Sequence, residues 1–183
     1  MSGAISQLVF FVKNQTQFLD TSKGRLINGS FSDLINENQF RFEKDGSITL
    51  PPNFYVRDAL GWANIHKLQI LFASKMELNP ILLKTESNKQ ILVNDSILIP
   101  IYNNNIIRGF HGEVKYAHDL KRINEIKSGF EKVMVFDYNS DKVCRLENLY
   151  IEKVNKQLFI DDFWISIKTK TQFINLNGIQ LYV

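Results

Sequence analysis

The chain holds one cysteine, Cys144, and three histidines, His66, His111 and His118. A thiol becomes a nucleophile once ionised, and imidazole can relay protons or hold a metal near neutral pH. Neither group is arranged for such work. Cys144 sits in Val143-Cys144-Arg145-Leu146, a strand-like run that predicts a buried structural thiol. With a single cysteine, no intrachain disulfide and no cysteine-rich zinc site can form. The histidines share no metal-ligand spacing, so no metal or other cofactor is expected. Phe159, Phe163, Trp164 and Phe173 gather near the C-terminus, where they could stack on bases; core packing is the simpler expectation.

Net charge is +3, and basic and acidic residues are balanced through Ile48. Nucleic-acid binding calls for a clustered basic face. The most basic stretch, Lys115, His118, Lys121, Arg122 and Lys127, is interleaved with Asp119 and Glu125 and reads as a solvated surface. A nucleic-acid partner is therefore not expected. The longest apolar runs, such as Leu8 to Val12, are too short to span a bilayer, and the first residues lack a signal-peptide pattern. A soluble protein of the cytoplasm is expected.

The elements that would position these groups are mostly strands. Ile5 to Val12, Ile91 to Ile101, Lys132 to Phe136 and Phe159 to Ile167 are rich in β-branched and aromatic residues. Turn formers separate them, among them Lys44 to Ser47, Ser87 to Lys89, Asn139 to Asp141 and Asn177-Gly178. Short strands joined by such turns predict an all-β, antiparallel fold. Two helices are expected, Phe31 to Ile35 with a serine cap and Ala117 to Ile126; Arg57 to Met76 fits either a helix or a strand. A weak repeat relates Ser87 to Ile99 with Ser140 to Ile151, each a polar turn followed by two strand-like runs.

The end of the chain carries a more specific pattern. Phe163 to Ile167, then Gln172-Phe173-Ile174-Asn175-Leu176-Asn177-Gly178-Ile179, then Gln180-Leu181-Tyr182-Val183 resembles the C-terminal blocks of inteins. Thr49 to Val56 resembles the family's opening block, and Leu83 to Ser96 the hairpin that activates the first peptide bond. Glu113 to Leu120 resembles its next strand. The resemblance is to the Hint (Hedgehog and intein) family and implies a Hint-like pseudo-two-fold β fold over residues 49–183. Residues 1–48 are then an N-terminal extension or arm.

The resemblance also implies where chemistry would sit. Thr49 takes the place of the family's cysteine or serine nucleophile, Val93 that of a threonine, and Ser96 and Gln172 those of histidines. Tyr182 and Val183 stand for the closing histidine and asparagine. A valine offers no hydrogen bond, a serine is no general acid near neutral pH, and Val183 has no amide with which to cyclise. These departures lead to the expectation that none of the six is catalytic and that the chain is not an enzyme. It would then be a structural or assembly protein that binds other proteins, in the cytoplasm or in a virus or phage particle. The alternative expectation is residual self-cleavage before Thr49, through its hydroxyl.

Overall fold

The computed structural model describes residues 9–37, 41–44, 47–50, 53–59, 61–73, 76–102, 106–108, 114–138 and 144–183. Strand is its dominant element, with one short α-helix among the described residues. The first half runs β1 (Val9–Phe11), β2 (Thr16–Asp20), β3 (Arg25–Gly29), α1 (Phe31–Asn36), β4 (Arg41–Phe42), β5 (Ile48–Thr49), β6 (Phe54–Asp58) and β7 (Gly61–Phe72). Next come β8 (Pro80–Thr85), β9 (Gln90–Asn94), β10 (Leu98–Ile101), β11 (Ile106–Arg108), β12 (Val114–Tyr116) and β13 (Asp119–Arg122). The last are β14 (Lys132–Val135), β15 (Arg145–Lys153), β16 (Phe163–Thr169), β17 (Phe173–Leu176) and β18 (Ile179–Tyr182).

Twelve of these strands form one sheet, ordered β17-β18-β14-β15-β8-β9-β1-β16-β7-β6-β2-β3. β1 lies between β9 and β16, with Phe10 opposite both Val93 and Ile165. β2 pairs with β6. The segment expected as an arm ahead of Thr49 therefore supplies three strands to the sheet that the rest of the chain builds. The reason is packing: Phe10 and Phe18 are fully buried, in one core with Val56, Leu83, Val93 and Ile165.

Strand alternation sends side chains to two cores. Phe10, Ile91, Val93 and Ile165 enter the main one, while Phe11, Leu92 and Trp164 pack on the opposite face with Leu78 and Phe159. A strand covered on both faces reads as a continuous apolar run, which is the sequence Ile91-Leu92-Val93. Trp164 and Phe159 thus pack against neighbouring side chains, whereas Phe163 remains 43% exposed, edge-on to its cross-strand partner Phe72.

The helix forms where expected, with Ser30 rather than Ser32 as its cap. Ser30 Oγ accepts from the Asp33 amide and the Asp33 carboxylate accepts from the Ser30 amide, a closed capping box. The second expected helix is absent. Asp119 to Arg122 pairs with β10 instead, and only Ile123–Glu125 coils, as a single 3-10 turn. Leu120 and Lys121 face β10 across the ladder, and tertiary pairing overrides a three-residue spacing too short to nucleate a helix. The ambiguous stretch is strand β7 throughout 61–72, with a register slip against β16 at Lys168/Thr169.

The hairpins β8–β9 and β14–β15 lie side by side, β8 pairing with β15. Polar contacts join the β8–β9 turn to β15: the Ser87 and Asn148 amides donate to Glu147 and Glu86, and Arg145 pairs with Asp137 and Glu147. The β17–β18 turn is tight. Asn177 (φ 44°) and Gly178 (φ 88°) occupy the left-handed region that a type I′ hairpin requires, and a Cβ on Gly178 would come within 2.5 Å of the Phe136 carbonyl.

Candidate functional site

Thr49 lies on a small two-stranded ribbon, β4–β5, in which Phe42 faces Ile48 and Arg41 faces Thr49. Alternation buries Ile48 (7% exposed) in the main core and turns Thr49 out to solvent. Ser47 bridges to Gln69 of β7 and its carbonyl accepts from the Glu43 amide at 2.8 Å, which closes the ribbon. That closure sets Glu43 beside Thr49, and the Thr49 hydroxyl donates to Glu43 Oε1 at 3.0 Å. A hydroxyl hydrogen-bonded to a carboxylate is the pairing of a nucleophile with a proton acceptor. Sequence reading missed Glu43; its signal was a carboxylate six residues ahead of Thr49 across a turn-forming Lys44-Asp45-Gly46.

The other five positions fall into two groups. Val93, fully buried on β9, faces Phe10 and Ile81 and contributes packing alone. Ser96 follows that strand, and its hydroxyl accepts from Asn94 Nδ2 at 2.9 Å. Gln172, Tyr182 and Val183 are brought together at the open end of β17–β18: the Val183 amide donates to the Gln172 carbonyl at 2.9 Å, and Tyr182 pairs with Phe173. Gln172 has φ 67° in the turn that leads into β17. His118 joins this end, its ring 5.3 Å from Phe173 and 5.5 Å from Tyr102. Among the described residues, Thr49 pairs with Arg41 and bonds to Glu43, and no strand pairing links it to either group.

Cys144 is buried and its thiol donates to the Ala59 carbonyl at 3.2 Å. Burial pushes that thiol up from its ordinary value, so it stays protonated. His66 stands exposed on β7, and His111 lies outside the described residues. Among the described residues no group of histidine, cysteine and carboxylate side chains is placed to hold a metal, and no helix is long and apolar enough to cross a membrane.

A buried polar network, also missed from the sequence, sits behind the β17–β18 hairpin. Gln180 Nε2 donates to Asp58 Oδ1 at 2.6 Å, and Gln180 Oε1 accepts from the Ala59 amide at 2.9 Å. Tyr138 donates to Asn175 Oδ1 at 2.7 Å and accepts from the Gly178 amide at 3.1 Å. Burial pushes the Tyr138 phenol up to about 12.

No family model matches the sequence, and no curated protein does. Solved structures do match, and they define the class: the chain has the Hint-type β fold of inteins. One is an intein from a hyperthermophile, with a TM-score of 0.70 and 13% identity over 96% of this chain and 99% of that one. The Pab PolII intein gives 0.67 and 16% over 95% and 100%, and the Mvu transcription factor IIB mini-intein 0.66 and 12% over 96% and 99%. Coverage of that extent carries the likeness ahead of Thr49, into β1 to β3.

These matches correct two expectations. A non-enzymatic structural or assembly protein does not stand, because the structures that share this fold over nearly their whole length are inteins, which process themselves. The expectation that the chain is not an enzyme falls with it.

Proposed function

We propose that the chain is a self-processing domain that cuts its own backbone between Ile48 and Thr49. The fold likeness to inteins over nearly the full length of both chains supports self-processing, and the Thr49–Glu43 pair alone points to this bond. The Thr49–Glu43 pair supplies the reacting groups. The Thr49 oxygen attacks the Ile48 carbonyl carbon while its proton passes to Glu43. The C–N bond then gives way to a C–O ester, and the freed Thr49 nitrogen takes up a proton as an amine. Water hydrolyses the ester and leaves a carboxylate on Ile48. Burial of the Ile48 side chain fixes one side of the bond, and exposure of Thr49 admits the water.

The reaction stops at cleavage in this reading, since Val183 carries no side-chain amide for a cyclisation. Cytoplasmic conditions suit it, because the one cysteine is a buried thiol and no disulfide is needed. The test is intact-mass spectrometry of the purified, denatured chain, with and without hydroxylamine to trap the ester. Fragments Met1–Ile48 and Thr49–Val183 are expected, faster with hydroxylamine, and Thr49→Ala is expected to stay whole. A chain that stays whole under hydroxylamine, or a Thr49→Ala variant cut at the same rate, overturns the proposal.

A further inference from the structure

Arg57 is a charged side chain whose setting the self-cleavage reading leaves unused. On β6 it faces Trp62 of β7, and its guanidinium carbon lies 5.0 Å from the Trp62 ring and 4.1 Å from the Phe136 ring. The two rings come from separate parts of the sheet, since Phe136 follows β14 and its amide donates to the Gly178 carbonyl. Ring contacts of this kind engage the face of a guanidinium and leave its in-plane N–H groups to find acceptors elsewhere. Here the Nε finds none: it is buried without a hydrogen-bond partner. The adjacent carboxylate, Asp58, is buried and accepts a hydrogen bond from Gln180 Nε2. Burial lowers the Arg57 guanidinium from its ordinary value, and its attraction to Tyr138, Cys144 and the Asp58 carboxylate only partly offsets that loss of water.

We infer that Arg57, clamped between Trp62 and Phe136, is a binding site for a carboxylate. A planar carboxylate matches the fork of N–H donors left at the guanidinium edge, and the two rings give it apolar walls. A single negative charge suits the site better than a phosphate dianion, which the neighbouring Asp58 carboxylate would repel more strongly. A peptide could present the group either at its C-terminus or on an aspartate side chain. The site is separate from the Thr49–Glu43 pair, so its test does not depend on cleavage.

The chain has two tryptophans, and Trp164 is fully buried in the other core, so the two indole N–H signals of an ¹⁵N-labelled sample report the site and a control. The sample is the Thr49→Ala chain, titrated at constant ionic strength with acetyl-trialanine acid, acetyl-Ala-Asp-Ala amide, acetyl-trialanine amide and phosphate. Saturable movement of the Trp62 signal by one or both carboxylate peptides is expected, with half-saturation on the order of millimolar. The amide peptide and phosphate should leave it in place, as should every ligand in Arg57→Gln. Arg57→Lys keeps the charge without the fork and should weaken the response about tenfold. The inference is overturned if neither carboxylate peptide moves the signal, if phosphate or the amide peptide moves it as far, or if Arg57→Lys responds like the parent. An unmoved Trp164 signal certifies that each variant is folded; should Arg57→Gln fail that check, Arg57→Lys decides the matter.

Discussion

Two hairpins hold most of the positions that the intein resemblance singles out, and they are built in opposite ways. The β4–β5 ribbon is two residues deep on each side, buries Ile48 and presents the Thr49–Glu43 pair to water. The β17–β18 hairpin is sunk in the core: Ile174, Leu176, Ile179 and Leu181 are at most 1% exposed, and Asn175 and Gln180 are locked into a buried network with Tyr138 and Asp58. Reactive groups need access and freedom to move protons, while buried polar groups need every partner satisfied. The first hairpin is therefore where substitution should change chemistry and spare stability, and the second is where it should do the reverse.

The sharpest break of this contrast is Gln180→Ala. It removes the donor to Asp58 and the acceptor of the Ala59 amide, both buried, and should cost about 3 kcal/mol in denaturant unfolding. A loss below about 1 kcal/mol would show the network to be ornamental to folding.

Tyr138→Phe comes next, at about 1–2 kcal/mol, since one phenol both donates to Asn175 and accepts from Gly178. The same phenol sets an alkaline limit. Its pKa is raised to about 12 in the fold against about 10 in the unfolded chain, so the unfolded state loses its proton first. The stabilisation is complete below pH 10 and disappears as pH climbs toward 12. Unfolding midpoints measured across that window should fall in the parent and fall less in Tyr138→Phe.

A smaller effect concerns the cut chain. β1 pairs with β9 and β16, and β2 with β6, so cleavage after Ile48 should leave the two fragments associated. Size exclusion without denaturant should give one peak at the mass of the uncut chain, and denaturing gels two bands. Fragments that separate without denaturant would mean that the sheet does not hold across the cut. Least of all, Thr49→Ala should shift stability by under about 0.5 kcal/mol, as expected for an exposed ribbon residue. A larger loss would make Thr49 a structural residue and remove the contrast.

The amino-acid order was enough for the β architecture, the Asn177-Gly178 turn and the buried character of Cys144, because alternation, left-handed turn residues and apolar neighbours act over a few residues. It also carried enough pattern at the C-terminal end to reach the Hint fold. Only tertiary structure decided that Phe10 stands between Val93 and Ile165, that Asp119 to Arg122 pairs with β10 in place of coiling, and that Glu43 reaches Thr49. The Asp58–Gln180 bond and the stacking of Arg57 between Trp62 and Phe136 belong with these. Each depends on which strands meet across long stretches of chain, and local preferences are silent about such meetings: the core that forms when many apolar faces are buried together selects them.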